Sequence, residues 1–245
     1  MADPASREDA GTPATADAGR PEREARAAGI ARAWLLGWAA VVHEARGRLT
    51  DLDAAIGDGD HGINLDRGLT AVAAELSHGH NDNTDERAAA LDRPADAAAI
   101  LGAAGRRIMG TVGGASGALY GRAFVRAGAA VELDGDPDRL PEAALAAAIQ
   151  SISDLGHAVP GDKTMLDALV PALEALHAGL PGEPIAARVR RAADAAQEGA
   201  LATVPLLARK GRASYLGERS IGHLDPGAVS SAMLIRCLAE AVERT

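Results

Sequence analysis

Apolar residues recur about every three to four positions along most of the chain, the spacing that places them on one face of an α-helix. The first such segment runs from about Glu22 to Arg46, and Gly47 is predicted to end it. Few runs of β-branched residues, which favour strands, interrupt the pattern. The pattern therefore predicts an all-α fold with eight helices. The other seven are expected at about 63–76, 95–109, 115–130, 141–155, from 162 onward, 184–203 and 225–242.

The segments outside this pattern are a tail and a set of connections. Residues 1–21 lack apolar periodicity and are expected to form a disordered tail, so that 22–245 make one helical domain. The polar stretch 77–92 is expected to be an exposed connection, with a soft-metal site at His78 and His80 as the alternative. Asp162 is predicted to cap the sixth helix, and Pro171 to bend it.

Composition changes this picture in two ways. Hydrophobic residues make up 47% of the chain but aromatic residues only 2%, so aliphatic and small side chains must build the core. Trp34 and Trp38 are expected to pack in that core rather than stack on a ligand. The net charge of −9 argues against nucleic acid as a main partner, because phosphate binding over a large surface needs a basic protein.

Disulfides and targeting segments are not expected. Cys237 is the only cysteine, which fits a reducing compartment. No apolar stretch has the form of a signal peptide or approaches the length of a membrane span. The sequence therefore predicts a soluble, cytoplasmic protein without a membrane partner.

The densest chemistry lies in 51–62, where four aspartates fall within ten residues beside three glycines. Carboxylates this close repel one another unless water or a cation neutralises them. The glycines let the backbone turn sharply and bring Asp53, Asp58 and Asp60 to one point. Oxygen ligands suit Mg²⁺ or Ca²⁺, and Mg²⁺ often completes its shell with substrate phosphates. A solvated turn without a metal is the alternative.

Three further loops have unusual sequences: 110–117 is rich in glycine, 156–165 contains Asp162 and Lys163, and 209–220 contains four basic residues. If short connections make neighbouring helices alternate in direction, these loops and the acidic loop fall at one end of the bundle. Glycine-rich loops at helix N-termini and basic side chains both attract anions. Each loop alone is also compatible with close packing or solvation, but together they predict a Mg-nucleotide site.

The chain resembles the DhaL family, the nucleotide-binding subunit of dihydroxyacetone kinase, in three motifs: 57–62, 113–117, and 210–223 followed by 225–227. The resemblance covers the chain from the first helix to its end. It implies an eight-helix antiparallel up-and-down barrel with the nucleotide site at one end. It also implies two Mg²⁺ held by Asp53, Asp58 and Asp60, with Arg212 as the catalytic residue. The implied nucleotide-binding residues are His61, Gly62, Ile63, Asn64, Gly114, Ala115, Ser116, Gly156, Met165, Arg212, Asp225, Pro226 and Gly227.

The activity that this resemblance implies is phosphoryl transfer through bound ADP or ATP. Phosphate would come from a phosphohistidine carrier protein and pass to dihydroxyacetone held by a partner subunit. The chain stops at Thr245, directly after the last helix, so it is expected to lack a substrate domain, as in the phosphotransferase-system form. The alternatives are an ATP-dependent kinase component for dihydroxyacetone or another short ketose, and a non-catalytic nucleotide-binding module that contacts a transcriptional regulator. A homodimer is also left open.

Overall fold

The computed structural model describes residues 19–78, 96–134, 136, 138–180 and 182–245. Within these residues the chain forms eight α-helices, one 3₁₀ segment and no strand, which confirms the all-α prediction. The predicted tail up to residue 18, and the connection 79–92 with its His80, lie outside the described residues. The elements are α1 (Arg20–Ile56), α2 (His61–His78), α3 (Ala97–Thr111), α4 (Gly114–Asp134), α5 (Leu140–Gly156), α6 (Leu166–His177), α7 (Ile185–Ala202), the 3₁₀ segment (Arg212–Ser220) and α8 (Pro226–Arg244).

Helix α1 is longer than the sequence pattern predicts. The prediction that Gly47 ends it is wrong, because the helix continues to Ile56. Leu49 and Ile56 are buried beyond Gly47, and their burial outweighs the roughly 0.5–1 kcal/mol that a glycine costs inside a helix. Asp53 consequently belongs to the last turn of a helix rather than to a loop.

Helix α6 begins at Leu166, so the predictions that it begins at Asp162 and is capped by Asp162 are wrong. The backbone of Lys163 has a φ of 63°, a left-handed conformation that an α-helix does not contain. The Asp162 carboxylate instead accepts a hydrogen bond from the backbone N–H of Val159 at 3.0 Å. Pro171 lies inside α6, and the bend that the sequence predicts there stays a prediction.

The contacts between helices form a closed series. Each helix contacts the next one along the chain, and α8 contacts α1. This closed set of contacts is what an eight-helix barrel requires, while the alternation of helix direction around it stays a prediction. None of the described helices is long and apolar enough to cross a membrane.

An aromatic cluster joins α1, α4 and α8 in the core. The rings of Trp38 and Tyr120 meet edge to face with centroids 5.1 Å apart, and those of Trp34 and Phe124 lie 5.6 Å apart. The Trp34 indole N–H donates to the Leu234 carbonyl of α8 at 2.9 Å. Both tryptophans are buried, which confirms that they pack in the core.

Glycines allow α3 and α4 to meet backbone to backbone. A β-carbon at Gly105 of α3 would lie 2.5 Å from the carbonyl oxygen of Gly121 in α4. One at Gly128 would lie 2.6 Å from the carbonyl oxygen of Ala98. Because real β-carbons do not approach an oxygen this closely, the position of α4 depends on these glycines.

We expect Gly105→Ala to lower the free energy of unfolding by about 1–3 kcal/mol, because the added methyl group forces α3 and α4 apart. Gly47→Ala is the matched control, since nothing lies within 4 Å of a β-carbon there. Alanine should stabilise that helix interior by about 0.5–1 kcal/mol. Urea unfolding followed by circular dichroism measures both changes, and a neutral Gly105→Ala would contradict the close approach.

Candidate functional site

The carboxylates of Asp53, Asp58 and Asp60 lie together at the junction of α1 and α2. One oxygen from each lies within 4.8 Å of the others. Asp53 Oδ2 accepts the backbone N–H groups of Asp60 at 2.8 Å and His61 at 3.1 Å, which folds the connection over the end of α1. Gly59 permits this turn with a φ of 71°. The three side chains offer only oxygen ligands, which is the set that Mg²⁺ and Ca²⁺ prefer.

A cavity of about 540 Å³ opens beside these carboxylates. Small-molecule sites typically enclose about 300–1,000 Å³. The four unusual loops of the sequence and the start of α8 all contribute to its walls. The predicted site residues that line it are Asp53, Asp58, Asp60, His61, Gly114, Ala115, Ser116, Gly156, Met165, Arg212, Asp225, Pro226 and Gly227.

Three predicted site residues do not line the cavity. Gly62 packs against α1, where a β-carbon would lie 2.2 Å from the carbonyl oxygen of Arg46. The Ile63 side chain is half exposed. The Asn64 amide oxygen accepts a hydrogen bond from Arg67 at 2.9 Å. Their roles at a nucleotide stay predictions.

Part of the cavity lining is apolar, and the sequence prediction missed most of this part. Leu119, Ile152 and Ala158 line the cavity together with Met165, and we call these four residues the apolar wall. Helical periodicity places Leu119 and Ile152 on inward faces. It does not show that these faces border an open cavity, because a core position has the same pattern.

The N-terminus of α4 faces the cavity through Gly114, Ala115 and Ser116. The first backbone N–H groups of a helix have no partner within it, so this end attracts an anion. Gly117 lets the preceding connection fold tightly onto α4, because a β-carbon there would lie 2.1 Å from the Val112 carbonyl oxygen.

Arg212 brings a positive charge to the acidic side of the cavity. It is the first residue of the 3₁₀ segment, and its Nε lies 2.9 Å from Asp58 Oδ2. The Arg212 side chain is 70% exposed. Exposed ion pairs are worth only about 0–1 kcal/mol, so Arg212 can exchange this carboxylate for a phosphate at little cost.

Helix α8 begins at the cavity with Asp225 as its N-cap. The Asp225 carboxylate accepts the backbone N–H of Ala228 at 2.7 Å. Burial raises the pKa of Asp225 to about 7, against the opposing effect of the Ala228 hydrogen bond. This carboxyl group therefore exchanges a proton near neutral pH.

His61 is a buried hydrogen-bonding group in the cavity lining. Its Nε2 lies 2.9 Å from Ser230 Oγ, and that oxygen lies 2.8 Å from the Tyr120 hydroxyl. Burial lowers the pKa of His61, although the charges of Asp53 and Asp60 oppose this. The two hydroxyl groups hold the imidazole ring in place.

Lys163 also lines the cavity and was not among the predicted site residues. Its side chain is buried, and this burial lowers its pKa while Asp225 and Asp167 oppose the change. One sequence signal pointed to it: the chain contains only two lysines beside 23 arginines.

Comparison with known proteins gives a family and two kinds of relative. The DAK2 domain matches residues 55–240. A protein of Listeria innocua, named PEP-dependent dihydroxyacetone kinase 1, ADP-binding subunit DhaL, is 39% identical over 209 residues, covering 84% of this chain and 93% of that protein. L-erythrulose 1-kinase of Mycolicibacterium smegmatis is 40% identical over 194 residues, covering 79% of this chain and 32% of that protein.

A solved structure shows the same likeness. The dihydroxyacetone kinase from C. freundii in complex with AMP-PNP and Mg²⁺ matches with a TM-score of 0.56 and 26% identity. The match covers 98% of this chain and 37% of that one. The chain thus spans about a third of the length of the erythrulose kinase and of the solved kinase.

We expect Asp58→Ala to abolish binding of a Mg-nucleotide, because it removes a carboxylate ligand without changing the core. Asp51→Ala is the matched control, since it removes the same charge nearby but lies outside the cluster. Calorimetric titration with ADP and Mg²⁺, on protein first stripped of nucleotide with EDTA, measures both. Unchanged affinity in Asp58→Ala, or an equal loss in Asp51→Ala, would contradict the metal assignment.

We expect Asp225 to make the nucleotide-free protein less stable as the pH rises. Its folded pKa of about 7 exceeds its ordinary value of 3.8, so the folded state binds the proton more tightly. The free energy of unfolding therefore falls between about pH 4 and 7 as Asp225 ionises. Asp225→Asn, which still caps α8, should lose less stability between about pH 5 and 8 in urea unfolding. A pH-independent difference from wild type would refute this.

Proposed function

The chain belongs to the DAK2-domain family, and we propose that it is the nucleotide-binding subunit of a dihydroxyacetone kinase. In this proposal it holds ADP or ATP with two Mg²⁺ and relays phosphate to dihydroxyacetone on a partner subunit. The observation that carries the proposal is the convergence of three carboxylates, Arg212 and two helix N-termini on one cavity of about 540 Å³. The C. freundii kinase, solved with AMP-PNP and Mg²⁺, supports the nucleotide assignment.

Different residues of the cavity would have different roles in phosphoryl transfer. Bound Mg²⁺ supplies the neutralisation of charge that this reaction needs. Asp53, Asp58 and Asp60 would hold the metal, and the N-terminus of α4 would receive phosphate oxygens. Arg212 would leave Asp58 and pair with the transferred phosphate, for which its planar guanidinium is suited. The apolar wall would cover the nucleobase and exclude water.

We propose a phosphohistidine carrier protein as the phosphate donor, with ADP bound throughout the cycle. The Listeria innocua relative is named PEP-dependent and ADP-binding, and the chain covers 93% of its length. Lys210 and Arg212 at the cavity would attract the phosphorylated carrier. These partners would place the chain in the cytoplasm, and a transcriptional regulator is a further proposed partner.

A second candidate is an ATP-dependent kinase for a short ketose. The observation that favours it is the identity of 40% to L-erythrulose 1-kinase, which is close to the 39% found for the PEP-dependent relative. Both candidates use the same carboxylates and Arg212, so the site geometry suits either. They differ in whether the nucleotide leaves after each turnover.

We expect the purified protein to retain ADP and to exchange it slowly with free ATP. In a mixture with a dihydroxyacetone-binding subunit, phosphoenolpyruvate and the carrier chain should sustain turnover, whereas ATP alone should not. The formation of dihydroxyacetone phosphate, followed with a coupled dehydrogenase, measures both arms.

The outcomes separate the candidates. Turnover with ATP alone and none with the carrier chain would select the ATP-dependent kinase, and erythrulose in place of dihydroxyacetone then tests the ketose. Tight ADP binding without transfer in either arm would contradict both and favour a regulatory module.

A further inference from the structure

Lys163 stands in an unusual environment for a lysine. Its side chain is 1% exposed, and no other lysine or arginine of the described residues is fully buried. Its backbone has a φ of 63°, a left-handed conformation that is strained for a lysine. Strain of this kind persists when the surrounding contacts hold the residue in place.

The Lys163 ammonium joins two distant points of the chain. Its Nζ donates to the carbonyl oxygen of Thr203 at 2.7 Å and to the carbonyl oxygen of His223. These two carbonyls stand at either end of residues 204–222, the segment that contains Arg212. We call residues 203–223 the Arg212 loop, and the contact between its ends is the neck.

Further hydrogen bonds surround the neck. The backbone N–H of Gly222 donates to the Val204 carbonyl at 2.8 Å, so the two chain segments that meet at the neck are also hydrogen-bonded to each other. The backbone N–H of Arg209 donates to the Asp162 carbonyl at 3.0 Å. The loop that carries Lys163 therefore touches the Arg212 loop at its neck and partway along it.

The chemistry of the ammonium suits this position better than that of a guanidinium, although the chain has 23 arginines and only two lysines. An ammonium is a compact charge with three rotatable donors, whereas a guanidinium is a wider planar group whose donors have a fixed geometry. Without Lys163 both carbonyls would lose a charged hydrogen-bond donor, and the Thr203 carbonyl would keep only the backbone N–H of Leu206, at 3.1 Å.

We propose that Lys163 is a positioning residue whose buried ammonium closes the neck of the Arg212 loop and so holds Arg212 at the cavity. This inference rests on the proposed function, because in that function Arg212 binds the transferred phosphate. Lys163 acts through Arg212, because its ammonium donates to the two carbonyls of the neck. Losing it should slow phosphate transfer more than it weakens Mg-nucleotide binding, which depends on the carboxylates and α4.

Lys163→Gly tests the proposal because glycine adopts the left-handed backbone without strain. Any loss then reports the missing ammonium rather than a distorted turn. His157→Gly is the matched control: His157 is the other left-handed non-glycine residue described, lies in the same connection, is exposed and does not line the cavity. It should transfer phosphate at the wild-type rate.

We expect Lys163→Gly to lower the transfer rate at saturating partner by about 100-fold, the loss typical of a reacting group displaced by about 1 Å. The affinity for ADP and Mg²⁺ should change much less. In an Arg212→Lys background the same substitution should cost little, because the group that it positions is already altered. An equal loss in both backgrounds, or a wild-type rate, would overturn the proposal.

Hydrogen exchange keeps this test separate from that of the proposed function. The amides of Gly222 and Arg209 should exchange faster in Lys163→Gly, while those of α3 and α4 should not change. This result would stand even if wild type transferred no phosphate in the reconstituted assay. Wild-type protection at both amides would overturn the neck assignment. If Lys163→Gly does not fold, Lys163→Gln, which keeps an N–H donor without the charge, takes its place with the same readouts and criteria.

Discussion

Repulsion among three carboxylates is the constraint on which the arrangement of the rest of the site depends. Asp53, Asp58 and Asp60 place oxygens within 4.8 Å of one another, a spacing at which like charges repel. Backbone N–H groups satisfy Asp53, and Arg212 pairs with Asp58. These partners are backbone dipoles and one exposed guanidinium. A divalent cation would neutralise the cluster more completely, and the α4 N-terminus lies in the same cavity to receive an anionic ligand of that cation.

The scaffold fixes the positions of these groups through a few packing contacts. The aromatic cluster joins α1, α4 and α8, and the ends of these three helices carry Asp53, Gly114 and Asp225. Glycine contacts set how closely α3 approaches α4, and so where the α4 N-terminus lies. A core with few aromatic residues thus uses four of them where the site needs rigidity.

The sequence predicted well those features whose residues all lie within one contiguous stretch of the chain. The helical period located the eight helices of the described residues, and the density of aspartates in 51–62 located the carboxylate cluster. The errors came where distant burial overrode a local signal, as when Leu49 and Ile56 carried α1 past Gly47. Lys163 was missed for the same reason, because its partners lie about 40 and 60 residues away and no local pattern reveals them.

The most direct test of this account is a crystal structure of the protein with ADP and Mn²⁺, with anomalous diffraction data collected to locate the metal. The account predicts anomalous peaks for manganese within bonding distance of Asp53, Asp58 and Asp60 and of phosphate oxygens. It places the diphosphate at the N-terminus of α4. It also predicts two such peaks, since two ions are proposed. Nucleotide bound outside the cavity, or manganese absent from the three carboxylates while ADP is present, would contradict it.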